Sequence, residues 1–98
     1  MYARVATFEG ETRGPEYDQE IDEIRSQVES GERPPGLQDA RGILMLQSEH
    51  GGKRLGIVLF DDEEGMHRGD EALNNMTPAG LGRRTSVEFY KVVVENMR

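Results

Sequence analysis

Residues 42–60, GILMLQSEHGGKRLGIVLF, decide the fold. Two runs of strand composition, GILMLQSEH and KRLGIVLF, are joined by Gly51-Gly52. A Gly-Gly pair between two such runs signals a β-hairpin with a two-residue turn. Counting outward sets His50 opposite Lys53, Glu49 opposite Arg54, Leu46 opposite Ile57, Met45 opposite Val58, Leu44 opposite Leu59 and Ile43 opposite Phe60. The Glu49–Arg54 pair is opposite in charge and the inner pairs are apolar, as cross-strand stabilisation requires.

Alternate strand positions point to opposite faces. Leu44, Leu46, Ile57 and Leu59 therefore share one face, and Ile43, Met45, Val58 and Phe60 share the other. Both faces are apolar, whereas a sheet with one solvated face alternates apolar with polar. Helices cover one face. The second needs either the loop at residues 31–41 or another chain, and a two-fold dimer is the economical cover.

Outward from the hairpin, the rest of the chain alternates strand and helix periods. Residues 2–8 (YARVATF) read as a strand. Gly14-Pro15-Glu16 reads as a helix entry, with proline at the first helical position and acids in the first turn. Tyr17, Ile21, Ile24 and Val28 form one helical stripe, and Ser30-Gly31 closes that helix. Its other face carries Asp18, Glu20, Asp22, Glu23 and Glu29, a solvated face. Two prolines forbid a helix in residues 31–41. After the hairpin, Asp61-Asp62-Glu63-Glu64 opens a second helix, with Asp61 as its cap. Met66, Leu73 and Met76 supply its apolar face, Thr77-Pro78 ends it, and residues 85–94 (TSVEFYKVVV) form the last strand. The order β-α-β-β-α-β in a single domain, residues 1–98, is that of an α+β, ferredoxin-like sandwich. It has four antiparallel strands with two helices on one face.

Composition narrows function. Thirty-five per cent hydrophobic and 32% charged residues describe a polar globular chain. It has no apolar run near the length of a membrane span and no signal-peptide core, so a cytoplasmic protein without a membrane partner is expected. The absence of cysteine excludes disulfides, thiolate metal sites and a cysteine nucleophile. Nineteen acids against twelve bases, net −7, argue against nucleic acid as a partner. RNA recognition through this topology needs stacking aromatics on the central strands in basic surroundings, whereas those strands read VATF and RLGIVLF in an acidic protein. The acidic run 61–64 lacks the ligand alternation of a calcium loop, and the two histidines lack metal-ligand spacing, so no metal site is expected.

The last strand should lie antiparallel beside the first. Setting Arg4 opposite Glu88 joins opposite charges and sets Tyr2 opposite Tyr90, a set expected to face the dimer interior. Ala3, Val5 and Thr7 then lie beside Phe89, Val87 and Thr85, under the helices. The first strand ends at Met1, opposite Lys91, yet Val92-Val93-Val94 continues. Such an unpaired edge is either a frayed terminus or an arm. We expect residues 92–95 to cross to a second subunit and bond to its sheet. Arg4, Glu88, Tyr90, Val92, Val93 and Val94 are thus the expected dimer-interface residues.

The stretches MYARVATFEG, Pro35-Gly36 leading to Gly42, GGKRLGIVLF, FDDEEGMHRGDEALNNM and RTSVEFYKVV together resemble the antibiotic biosynthesis monooxygenase-like superfamily of dimeric α/β barrels. The resemblance covers nearly the whole chain and implies a homodimer in which two sheets face each other, with helices outside. Relatives include cofactor-free monooxygenases acting on polyketide phenols and haem-degrading enzymes, so fold membership does not transfer a reaction. The haem-degrading relatives use a first-strand asparagine and a second-helix tryptophan and histidine. This chain has Thr7 on the first strand, no tryptophan, and His67 near the start of its second helix.

A cofactor-free oxygenase would need a base and a hydroxyl in a dry pocket. His67 and Thr7 are the catalytic candidates, with Tyr90 a second hydroxyl, and Val5, Met66, Leu73 and Phe89 are the expected pocket lining. His67, next to Met66, lies about 100° around the helix from the apolar stripe, where a surface role competes with a pocket role. His50, beside the hairpin turn, is expected to be exposed. Two functions follow: oxidation of a small aromatic or polyketide-like compound without any cofactor, or a non-catalytic homodimer that binds a small ligand or is purely structural.

Overall fold

Four runs of alternating side chains set the sheet. β1 (Tyr2–Glu9), β2 (Ala40–Gln47), β3 (Lys53–Phe60) and β4 (Arg83–Lys91) pair antiparallel throughout, in the spatial order β2-β3-β1-β4. The structure, a computed structural model, describes residues 1–10, 19, 21–23, 25, 26, 29–31, 37–49, 52–75 and 83–96. The described residues between 19 and 29 are helical (α1), and Glu63–Asn74 form α2. A four-stranded antiparallel sheet with two helices is an α+β arrangement compatible with the ferredoxin-like sandwich. No helix among the described residues is long and apolar enough to cross a membrane.

Both helices pack on one face of the sheet. Ile21 of α1 packs against the buried pair Ala6 and Phe8, as do Met45 and Val87 from the sheet. Met66 of α2 joins Leu37, Ala40, Val58 and Phe60, with Tyr2, Ile43 and Leu73 around them. Phe60 is fully buried, which is worth about 2–3 kcal/mol. The tip of its ring abuts Gly69, where even a methyl group would overlap it. Leu37, just before β2, is buried in this same cluster. The described end of the 31–41 loop therefore serves the helix-covered face rather than the open one.

The helix ends follow their chemistry, with one change. The N-cap of α2 is Asp62, not Asp61: its Oδ1 accepts the Gly65 N–H at 2.6 Å. Asp61 instead accepts a bond from Arg41 Nη1 at 2.7 Å. That bond, followed by the charges of Asp61 and Glu95, raises the Arg41 pKa. α2 stops at Asn74 with Asn75 as its cap, two residues before Thr77-Pro78. Gly31, at φ +81°, follows the Ser30 N–H bond to the Ser26 carbonyl and takes the left-handed backbone expected after α1. Tyr17, Ile24, Val28, the Gly14-Pro15-Glu16 entry, Pro35-Gly36, His50, Met76 and Thr77-Pro78 lie outside the described residues.

Two strand registers differ from expectation. In the hairpin, Leu46 pairs with Leu55, Leu44 with Ile57, Ile43 with Val58 and Gln47 with Arg54. The Ser48 N–H bonds to the Lys53 carbonyl at 2.9 Å, leaving residues 49–52 as the connection. The two-residue turn at Gly51-Gly52 is thereby replaced by a longer one, and the register moves by two. An even slip keeps every side chain on its face, so both hairpin faces are as expected.

Between β1 and β4 the slip is one. Phe8 pairs with Arg84 and Glu9 with Arg83, which is the expected count. A bulge then intervenes, so that Thr7 pairs with Ser86, Val5 with Glu88, Arg4 with Phe89, Ala3 with Tyr90 and Tyr2 with Lys91. Arg4 is therefore not opposite Glu88, nor Tyr2 opposite Tyr90. The odd slip exchanges faces: Tyr2, Arg4, Ala6 and Phe8 lie under the helices, and Ala3, Val5 and Thr7 lie on the open side. β4 starts at Arg83 and ends at Lys91 rather than spanning 85–94.

Candidate functional site

The expected pocket does not assemble. Met66 and Leu73 sit beneath α2. Phe89, opposite Arg4, is on that same side, while Val5 projects from the opposite face beside Ile57 and Glu88. His67 occupies the outer flank of α2, more than half exposed, with Nε2 3.5 Å from Glu63 Oε1. Its ring centroid is 6.0 Å from that of Phe89, tilted by 55°. Thr7 lies on the far side of the sheet, paired with Leu55 and Ser86. The sheet itself thus separates the two catalytic candidates.

What the structure does bring together on the helix side is a polar cluster. Arg4, in the centre of an apolar strand, is almost wholly buried. Its Nε–H donates to Asp70 Oδ1 at 2.8 Å and its Nη2 to Asn74 Oδ1 at 3.3 Å. Asn74 Oδ1 also accepts from Arg84 Nη1 at 2.7 Å, and Asn74 Nδ2 donates to Asp70 Oδ2 at 3.3 Å. A buried charge requires such partners, so this group is a structural tie between α2, β1 and β4. Arg4 accordingly leaves the expected interface set. Sequence held the signal: Met66, Asp70 and Leu73 share one helical stripe, so α2 carries a carboxylate on its apolar side to meet an arginine in an apolar strand. Arg54, also fully buried, donates from Nη2 to the Gly10 carbonyl at 2.7 Å.

The opposite face is the other candidate. Leu44 and Leu46 of β2 are 51% and 46% exposed. They adjoin Leu55, Ile57 and Leu59 of β3, with Val5 of β1 next. At the β4 side the face becomes polar: Tyr90 donates its hydroxyl hydrogen to Glu88 Oε2 at 2.7 Å. That hydrogen bond holds the phenol above its ordinary pKa, with desolvation and the Glu88 charge adding in the same direction. Among the described residues no element covers this face, and no group of three His, Asp or Glu side chains is placed to hold a metal ion. No protein-family model and no curated protein matches the chain.

Proposed function

We propose that the protein acts as a homodimer formed by stacking the open sheet faces of two copies, in the manner of the dimeric α/β barrels it resembles. Its role in this reading is non-catalytic: a structural homodimer, or one that binds a small aromatic ligand. One observation carries it, the uncovered apolar face of Leu44, Leu46, Leu55, Ile57, Leu59 and Val5. Four strands about 4.8 Å apart and eight residues long at about 3.3 Å each offer roughly 500 Å². Two such faces remove roughly 1,000 Å², the floor for a specific interface. The separation of His67 from Thr7 supports the non-catalytic form.

The test is sedimentation at micromolar concentration. The wild-type particle is expected near 22 kDa, twice the chain mass of 11.0 kDa. A double variant, Leu44→Lys with Leu46→Lys, is expected to sediment as a folded monomer. A wild-type monomer would overturn the reading.

One observation favours a second reading, cofactor-free oxidation of a small aromatic compound. His67 and the Phe89 ring form an exposed shelf on the helix side, where a base stands beside a stacking surface. If a polycyclic phenol is oxidised in air, His67→Ala should slow oxygen uptake roughly a hundredfold. Equal rates would remove His67 from any mechanism.

A further inference from the structure

Nineteen acids against twelve bases leave carboxylates in excess, and Arg4, Arg25, Arg41 and Arg68 each meet one. Arg84 instead donates from Nη1 to Asn74 Oδ1 at 2.7 Å. That amide oxygen is neutral and offsets no charge. The same oxygen accepts from Arg4 Nη2 at 3.3 Å. Two guanidinium nitrogens therefore stand within about 6 Å of each other around one neutral atom.

Asp70 balances only one of the two. Its Oδ1 accepts from Arg4 Nε at 2.8 Å and its Oδ2 from Asn74 Nδ2 at 3.3 Å, so both oxygens are engaged. One negative charge thus answers two positive ones, and the cluster is cationic in a chain of net charge −7.

The groups are also held in place. Asn74 is the last residue of α2, Arg4 belongs to β1 with its side chain 4% exposed, and Arg84 belongs to β4. Anchored on three elements, they have little side-chain freedom left to lose when a ligand arrives. Arg84 is exposed and Asp70 partly so, which opens the cluster to water. A guanidinium presents five N–H donors in a planar fork, and the Asn74 bond uses one of those on Arg84. Such a fork matches groups that offer two oxygens at once, a carboxylate or a phosphate.

We propose that this corner, where α2 meets β1 and β4, binds one small oxyanion, a carboxylate or phosphate group. The remaining donors of Arg84 grip it, and the charge of Arg4 stands behind them. The anion supplies the second negative charge, giving two cations and two anions. The site lies on the helix-covered side of a single chain, so it goes beyond the homodimer and needs no second copy. Chloride offers a single point of contact and does not fill the fork.

Nuclear magnetic resonance on the whole protein tests this. The Nε–H signals of Arg4 and Arg84 and the side-chain amide of Asn74 would be followed at constant ionic strength. Sodium chloride would be replaced stepwise by sodium phosphate in one series and by sodium acetate in another. Saturating shifts are expected, with a dissociation constant on the order of 1 mM. Saturation by one anion alone would identify the group that the site takes. Arg84→Ala alters an exposed side chain and should weaken binding about tenfold, read at Asn74, with the circular dichroism spectrum unchanged. Asn74→Asp places a carboxylate between the two arginines and should abolish binding, read at Arg84. Shifts that never saturate with either anion would overturn the site, and so would equal affinities for wild type and Arg84→Ala.

Discussion

The two faces of the sheet are built from the same strands and differ in what they meet. Under the helices, Val58, Phe60 and Met66 are buried, and Arg4 is sealed with Asp70 and Asn74. Across the sheet, Leu44 and Leu46 remain half exposed, and Tyr90 donates its hydroxyl hydrogen to Glu88. Apolar content does not distinguish the faces. The charge does: the helices sit where the strand arginine needs their carboxylate, because a buried guanidinium without a partner costs far more than an exposed leucine.

The largest way to break this contrast is to empty the covered face. Phe60→Ala removes a fully buried ring wedged against Gly69. It should cost about 3–5 kcal/mol in urea unfolding. A cost comparable to that of Leu46→Ala would mean that the two faces are energetically alike.

Asp70→Ala attacks the charge that separates the faces. Arg4 would keep Asn74 but lose its carboxylate, for an expected loss of about 2–3 kcal/mol. The double variant with Arg4→Met should recover part of that loss, since no buried charge is then left behind. A double variant no more stable than Asp70→Ala would show that the arginine stem, not its charge, matters there.

A smaller loss comes at the start of α2. Asp62→Ala removes the acceptor of the Gly65 N–H and should cost about 1 kcal/mol. Asp61→Ala leaves that cap in place and removes only an exposed bond to Arg41. It should cost less than the loss of the cap. Reversed magnitudes in thermal or urea unfolding would return the cap to Asp61.

The smallest effect concerns the open face. The Tyr90 phenol is held above its ordinary value by Glu88, so the folded chain retains that proton longer than the unfolded chain. The stabilisation is fully present below the unfolded phenol's pKa, about 10. It is lost as pH rises from there through the raised folded value. Tyr90→Phe should therefore lower stability slightly at neutral pH and flatten the alkaline fall, the two proteins converging above the raised folded value. Identical alkaline limbs for both proteins would show that the hydrogen bond does not persist in solution.

Much of this architecture is legible in residues 42–60, because strand alternation and a glycine-marked turn are local properties. The hairpin faces survive a turn two residues longer than expected, since side-chain direction has period two. The helix at 63–74 is equally legible from its acidic entry and its stripe of Met66 and Leu73. The candidate site is much less so. Placing Val5 and Thr7 beside Met66 and Leu73 depended on the β1–β4 pairing, and one bulge beside Thr85 inverted it. No local residue pattern announces a bulge in a strand whose partner lies nearly eighty positions away.

The sequence by itself determined the strands, the second helix, the pairing of apolar residues into two sheet faces, and the unsupported valines at its end. These follow from periodicity and propensity, which act over a few neighbouring residues. Only the tertiary structure decided which face the helices cover, that Arg4 lies beneath them, that Asp62 rather than Asp61 caps α2, and that the sheet stands between His67 and Thr7. Those outcomes depend on the registers of strands distant in the chain and on where a buried charge finds its partner. They are settled by packing the whole molecule at once.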